Sequence, residues 1–248
     1  MSSPVGACWL RLTRLSALGV PRERGGRVAI PDAVGGCVRK LWLSTEFALL
    51  YCLLPALIVL LQLPPQAFLP GLLVGAVACT VVLLRDPTFD RRRLWEGDVA
   101  WRHVARVAAI FLIGVAVLTA VAMTWFPERF LEFPRNNPGR WRLVMILYPL
   151  LSVAPQGIIW RTFLFHRYRE LFGQGRLMVV VAALAFAWVH VIFENWIALA
   201  LTLAGGFLFA WTYRQSRSNF LASFEHALYG CLVFTLGFGR FLYGGVIR

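Results

Sequence analysis

Polar and apolar positions alternate along this chain on the scale of whole helices rather than single turns. Apolar runs of about 17–25 residues, the length a helix needs to cross hydrocarbon, are separated by short arginine-rich stretches. Ser44–Leu63 is the first run and Ala67–Leu84 the second, joined by a tight Pro64-Pro65-Gln66 turn. The polar segment Arg85–Arg102, with Asp90-Arg91-Arg92-Arg93, precedes the third run, His103–Trp125. A Pro/Asn loop, Phe126–Arg140, leads to the fourth, Trp141–Phe165, and the basic His166–Arg176 to the fifth, Leu177–Phe193. Trp196–Tyr213 is the sixth. After Arg214-Gln215-Ser216-Arg217 comes Phe220–Phe238 as the seventh, and the last ten residues suffice for part of an eighth. Lipid leaves only helices and closed barrels as ways to satisfy backbone amides, so the pattern predicts an all-α, polytopic transmembrane helix bundle of seven to eight spans. Three parts are expected: a basic tail over 1–40, N-terminal transmembrane helices and loops over 41–140, and a transmembrane core carrying the polar site over 141–248.

Composition agrees with this reading. The chain is 59% hydrophobic and only 15% charged, with mean hydropathy +0.67, whereas soluble domains are about a quarter charged. A net charge of +13 would suggest nucleic acid in a soluble chain. Here the basic residues fall between apolar runs, so the expected partner is the lipid bilayer and no nucleic acid. The tail, Arg85–Arg102, His166–Arg176 and Arg214–Arg217 all fall on one side, which the positive-inside rule makes the cytoplasm. The expected location is therefore integral to a membrane, the bacterial inner membrane, with a cytoplasmic N-terminus. The tail has no apolar stretch long enough for a signal peptide; an interfacial turn is expected around Trp9–Leu18. Trp42, Trp125, Trp141, Trp196 and Trp211 stand near run ends, as an interfacial belt requires. The five cysteines show no CxxC spacing, so neither a disulfide framework nor a zinc knuckle is expected. Gly205-Gly206 should let another helix approach closely, and Pro149 and Pro155 should kink the fourth run or free carbonyls. No internal repeat of the kind many transporters carry is evident.

Ionisable groups inside apolar runs are the chemistry. Inserting one costs roughly 2.5–3.5 kcal/mol, so such groups usually face a protein interior or a wet cavity. His190 lies in the fifth run with Glu194 just past its last residue, Glu225 and His226 lie in the seventh, and Gln156 and Arg161 in the fourth. At ~1.5 Å per residue, Gln156, His190 and His226 lie about 17, 21 and 14 Å from the arginines that mark the cytoplasmic ends. Three helices thus share one polar layer. His190 and Glu194, at i,i+4, are expected on one helix face, with Phe186 a turn earlier, while Glu225 and His226 diverge around theirs. Arg161, about 9 Å from its run's end, has headgroup snorkelling as its ordinary alternative.

The stretch Ala154-Pro155-Gln156-Gly157-Ile158-Ile159-Trp160-Arg161 resembles the first motif, Glu-Glu-x-x-x-Arg, of the CPBP intramembrane endopeptidases, also called type II CAAX proteases or Abi proteins. Phe186-Ala187-Trp188-Val189-His190 is similar to that family's second motif, Phe-x-x-x-His. His226 through Gly230 is similar to the third, a histidine followed four residues later by a polar side chain. The resemblance covers roughly Arg140–Gly237. It implies an all-α membrane protease in which glutamate and histidine activate a water that attacks a peptide carbonyl, while other polar side chains hold the oxyanion. The implied substrates are membrane proteins or lipidated and hydrophobic peptides. Arg161, His190 and His226 are retained, but the two motif glutamates map onto Gln156 and Gly157, and the last polar position maps onto Gly230.

Several readings follow from those departures. Glu194 or Glu225 could serve as a relocated base beside its histidine. The chain could instead be a catalytically inactive relative acting as a membrane binding or chaperone subunit. A single-base change at codon 157 could also have removed a glutamate. His190 and His226 with one glutamate would supply the His₂Glu donors of catalytic zinc, although no HExxH spacing is present; the glutamates could equally neutralise Arg161. A small proton-coupled transporter using His190 and Glu194 is a third class, which the single polar layer disfavours.

Overall fold

A computed structural model describes residues 32–96 and 98–242, and all regular structure among them is helical. The expected all-α class holds. Six helices are long and apolar enough to cross a membrane: α1 Gly35–Leu60, α2 Pro65–Arg85, α3 Trp101–Trp125, α4 Pro138–Arg167, α5 Arg176–Phe193 and α6 Trp196–Ser216. A seventh, α7 Asn219–Leu236, forms where the seventh apolar run was expected. Asn219, Glu225 and His226 make it less apolar than the rest. Of the expected partial eighth helix, Phe238–Phe241 is a 3-10 turn and residues 243–248 lie outside the described residues. The interfacial turn at Trp9–Leu18 and most of the 1–40 tail also lie outside them.

The chain divides into two compact units, Met1–Leu50 and Tyr51–Arg248. In the first, helix runs from Asp32, earlier than the first apolar run, with no proline between Asp32 and Leu43 to interrupt it. Ser44 and Thr45 donate their hydroxyls to the carbonyls of Lys40 and Leu41 at 2.8 and 3.1 Å, so these polar side chains are satisfied within the helix. Cys37 is disulfide-bonded, a bridge that the absence of a cysteine framework in the sequence did not anticipate. Cys52, Cys79 and Cys231 are free thiols.

The second unit places α5, α6 and α7 at its interior. Of the apolar windows, 39% is buried in α5 and in α6, against 11% in α2 and α3. The difference follows from side-chain size. Ala182, Ala183, Ala185 and Ala187 make a small buried face on α5. A Cβ on Gly206 of α6 would stand 3.0 Å from both the Cα and the carbonyl oxygen of Ala183. The glycine expected to admit a neighbouring helix does so by backbone contact. Large apolar side chains such as Leu112, Leu143, Ile146 and Leu150 remain exposed on the outside, where lipid would cover them.

Helix α4 is irregular where its prolines fall. Pro149–Val153 and Ile158–Phe163 are π-helical turns, in which the i→i−4 pattern is relaxed and carbonyls become available. Tyr51 uses one of them, donating its hydroxyl to the Ile159 carbonyl at 2.8 Å.

On the arginine-rich side a polar cluster fixes the end of α2. Asp86 Oδ1 accepts from the Thr88 backbone N–H at 2.8 Å and from its hydroxyl at 2.7 Å. Asp86 Oδ2 lies 2.8 Å from His166 Nε2. Arg169 Nη1 lies 2.8 Å from His166 Nδ1, and Nη2 donates to Thr88 Oγ1 at 3.0 Å. Since an ionised carboxylate only accepts, His166 Nε2 carries the proton given to Asp86, and Arg169 Nη1, also 3.0 Å from that nitrogen, packs against the ring. Hydrogen bonds from the Thr88 hydroxyl, His166 and the Thr88 backbone hold the Asp86 carboxyl well below the usual carboxylate range. A depressed carboxyl contributes stability above its unfolded value, about 3.9, and loses it as pH falls below that value. Protection of the Arg85–Arg93 segment from limited proteolysis should therefore be constant from pH 8 to 5 and fall below about pH 4. In Asp86→Asn the segment should already be more readily cut at neutral pH.

Candidate functional site

Helices α3 to α7 line an open cavity of about 360 Å³. Its walls are apolar: Ile110, Ile113 and Val117 from α3, Leu201 and Leu208 from α6, Val233 and Phe234 from α7. The polar groups in its lining are Tyr148, Ser152 and Gln156 from α4, His190 from α5, Thr202 from α6, and His226 and Tyr229 from α7. The three positions expected to share one layer, Gln156, His190 and His226, do line one space.

Each of these side chains is held differently. His190 Nδ1 lies 2.6 Å from the Phe186 carbonyl, so that nitrogen carries the proton and Nε2 keeps its lone pair. His226 sits in an aromatic cage. Phe209 stacks on it with centroids 4.5 Å apart and 20° between planes, and Phe186 meets it edge-on at 5.3 Å. The His226 Nε2 lies 3.2 Å from the Tyr148 hydroxyl, while Nδ1 is buried without a partner. Gln156 donates its amide to Ser152 Oγ at 2.8 Å, leaving Oε1 buried and unpaired.

Arg161 does not snorkel. It is 2% exposed and donates through Nη2 to Ser223 Oγ at 3.3 Å, with its guanidinium carbon 5.9 Å from the centroid of the Phe209 ring. One aromatic ring therefore contacts both the retained arginine and the retained histidine. Arg161 Nε is buried without a hydrogen-bond partner.

The two glutamates are placed apart from the histidines' cavity. Glu225 is fully buried but absent from the cavity lining; its polar neighbours are Thr212, Arg106 and Arg161, and Arg106 contacts the Thr212 hydroxyl at 3.4 Å. Glu194 is exposed. Regular α-helix in α5 ends at Val189, a 3-10 turn covers His190–Phe193, and Glu194 takes a left-handed φ of 53°. The expected i,i+4 pairing of His190 with Glu194 is thereby undone. Asn195 causes the turn: its Oδ1 caps α6 by accepting from Ala198 N at 2.8 Å, and its Nδ2 donates to the Phe193 and Phe241 carbonyls at 3.0 and 2.8 Å.

The donor set does not fit a His₂Glu metal centre. Among the described residues no three His, Cys, Asp or Glu side chains are grouped to hold an ion. The cavity offers two histidines, with one nitrogen of each already engaged, and no carboxylate or thiolate. Sequence reasoning missed Tyr148, Ser152, Thr202, Phe209 and Tyr229. Tyr148, Ser152 and Gln156 recur every fourth residue in α4, a spacing that could have been noticed.

Residues 138–232, which hold α4 to α7 up to Leu232, match the family described as type II CAAX prenyl endopeptidase Rce1-like. The chain carries a CAAX-protease-family domain. Arg161, His190 and His226, on which the resemblance rested, all lie within it. The family's members are intramembrane proteases, which ties this chain to membrane proteolysis in general. No curated protein and no solved structure matches it.

Within the CAAX-protease-family domain, the first-motif position at Gly157 is filled by its neighbours. A Cβ there would collide with Ser223 Oγ and stand 2.6 Å from Asn219 Oδ1 and 2.7 Å from Arg161 Nη2. Overpacking of this kind costs typically about 1–3 kcal/mol. Gly157→Ala should lower the melting temperature in detergent, and Gly157→Glu should lower it further. An unchanged melting temperature in Gly157→Ala would mean that Ser223 and Arg161 move aside freely.

Proposed function

We propose that this protein is an intramembrane endopeptidase of the CAAX-protease type that hydrolyses membrane-anchored or C-terminally hydrophobic polypeptides. It would act in a bacterial inner membrane with its N-terminus in the cytoplasm. The observation that carries the reading is the pair His190 and His226 on the wall of an otherwise apolar cavity, with His190 Nδ1 tied to a carbonyl. That tie leaves Nε2 as the one unprotonated ring nitrogen of His190 able to receive a proton from water.

The chemistry follows from that placement. His190 Nε2 takes a proton from water as the water oxygen bonds to the substrate carbonyl carbon. The carbonyl π electrons move onto oxygen, and the His226 Nε2–H, held 3.2 Å from the Tyr148 oxygen, shares its hydrogen bond with that oxyanion. As the C–N bond breaks, protonated His190 returns its proton to the leaving amine, and the histidine is restored. Apolar walls hold the flanking residues and keep bulk water away. Entry from the lipid side is supported by Ile113 and Val117, which line the cavity and are 65% and 55% exposed, so that wall is not covered by another helix.

A second reading has its own observation. No carboxylate stands in the lining, so the same cavity would suit a subunit that binds hydrophobic polypeptides without cutting them. Proteoliposomes carrying a membrane-anchored peptide separate the two. Hydrolysis should fall by roughly 10²–10⁴-fold in His190→Ala, the range of general-base catalysis, and also in His226→Ala, while Glu194→Gln and Glu225→Gln keep it. Peptide binding with no cleavage by the wild type would establish the binding subunit, and cleavage lost in a glutamate variant would restore the relocated carboxylate.

A further inference from the structure

Position 230 is where the third motif should place a polar side chain next to the histidine of α7, and it is glycine. The space is not empty. A Cβ built on Gly230 would collide with the ring and the hydroxyl of Tyr148. Tyr148 belongs to a different helix, α4, and stands just before the first π-helical turn at Pro149–Val153. Its ring is wedged edge-on against Phe234 at 5.1 Å and against His226 at 6.2 Å. The hydroxyl so delivered lies 3.2 Å from His226 Nε2.

That contact has no substitute. His226 Nδ1 is buried with no partner, and the ring's remaining neighbours, Phe186 and Phe209, are carbon faces and edges. An aromatic cage restrains the plane of an imidazole but does not choose which nitrogen carries the proton. Only a hydrogen bond does that.

We propose that Tyr148 is the positioning residue of His226: its hydroxyl, delivered from α4 into the space left by Gly230, replaces the polar side chain missing from α7. This deepens the endopeptidase reading and rests on it for its kinetic arm alone. The inference also accounts for a pairing of sizes. Tyr148 fits because residue 230 has no side chain, so the two positions form one unit divided between two helices.

The test uses the full chain in nanodiscs with ¹⁵N-labelled histidine, the His226 signals being assigned by their loss in His226→Ala. In Tyr148→Phe the His226 ring nitrogens should shift while those of His190 do not. Unmoved His226 signals would overturn the proposal whether or not the protein cleaves anything. With an active preparation, Tyr148→Phe should lower kcat roughly tenfold, the scale of one hydrogen bond, and leave KM unchanged. A tenfold rise in KM at constant kcat would instead make Tyr148 a wall of the substrate site and sink the positioning role. Gly230→Asn alone should be poorly folded, whereas Gly230→Asn combined with Tyr148→Ala should fold and recover part of the activity and of the wild-type His226 signals. If the double variant folds but recovers neither, Tyr148 does not stand in for residue 230. Absence of cleavage by the wild type would refute the protease reading only, since the spectroscopic arm decides the Tyr148–His226 contact by itself.

Discussion

Hydrocarbon offers no hydrogen bonds, so a polar side chain at membrane depth must find its partner inside the protein. This constraint organises α4 to α7. Gln156 turns to Ser152 of its own helix, Arg161 to Ser223 of α7, His190 to a carbonyl of α5, and His226 to Tyr148 of α4. Small residues make those reaches possible. Where Ala183 and Gly206 let α5 and α6 touch backbone to backbone, the aromatic rings of Phe186 and Phe209 are brought over His226. Packing and polar satisfaction are one problem here, solved by the same few contacts.

Much of the fold was legible because hydropathy at membrane depth depends on run length more than on packing. The runs Ala67–Leu84, His103–Trp125 and Trp196–Tyr213 became helices within a few residues of their expected ends. The site was legible in part. Matching depths on three runs brought Gln156, His190 and His226 together correctly, since rise per residue is nearly constant. Azimuth was less legible. The i,i+4 argument for Glu194 assumed that regular helix continues past His190, and the capping demand of Asn195 ends it there. Glu225, one residue from His226 and so about 100° around the helix, is buried outside the cavity lining. Tyr148 escaped notice because a tyrosine in an apolar run carries no charge to mark it, and its role depends on a glycine in another helix.

Without the motif carboxylates the site has a different electrostatic character. Arg161 contacts a serine hydroxyl and an aromatic ring, and Glu225, the buried carboxylate of α7, has Thr212, Arg106 and Arg161 as its polar neighbours. The buried charges of this region thus face one another, and no carboxylate lines the histidines' cavity. A lining without charge favours neutral hydrogen-bond chemistry in the cavity over carboxylate chemistry.

The crowding at Gly157 has a consequence for how the first motif and α7 are tied together. The side-chain ends of Ser223, Asn219 and Arg161 occupy the volume that a side chain at that position would need. Any residue larger than glycine there must turn those three ends aside together, and Ser223 is the hydroxyl that receives the Arg161 guanidinium. The size of residue 157 and the hydrogen bond that holds Arg161 are therefore one variable: changing the first resets the second.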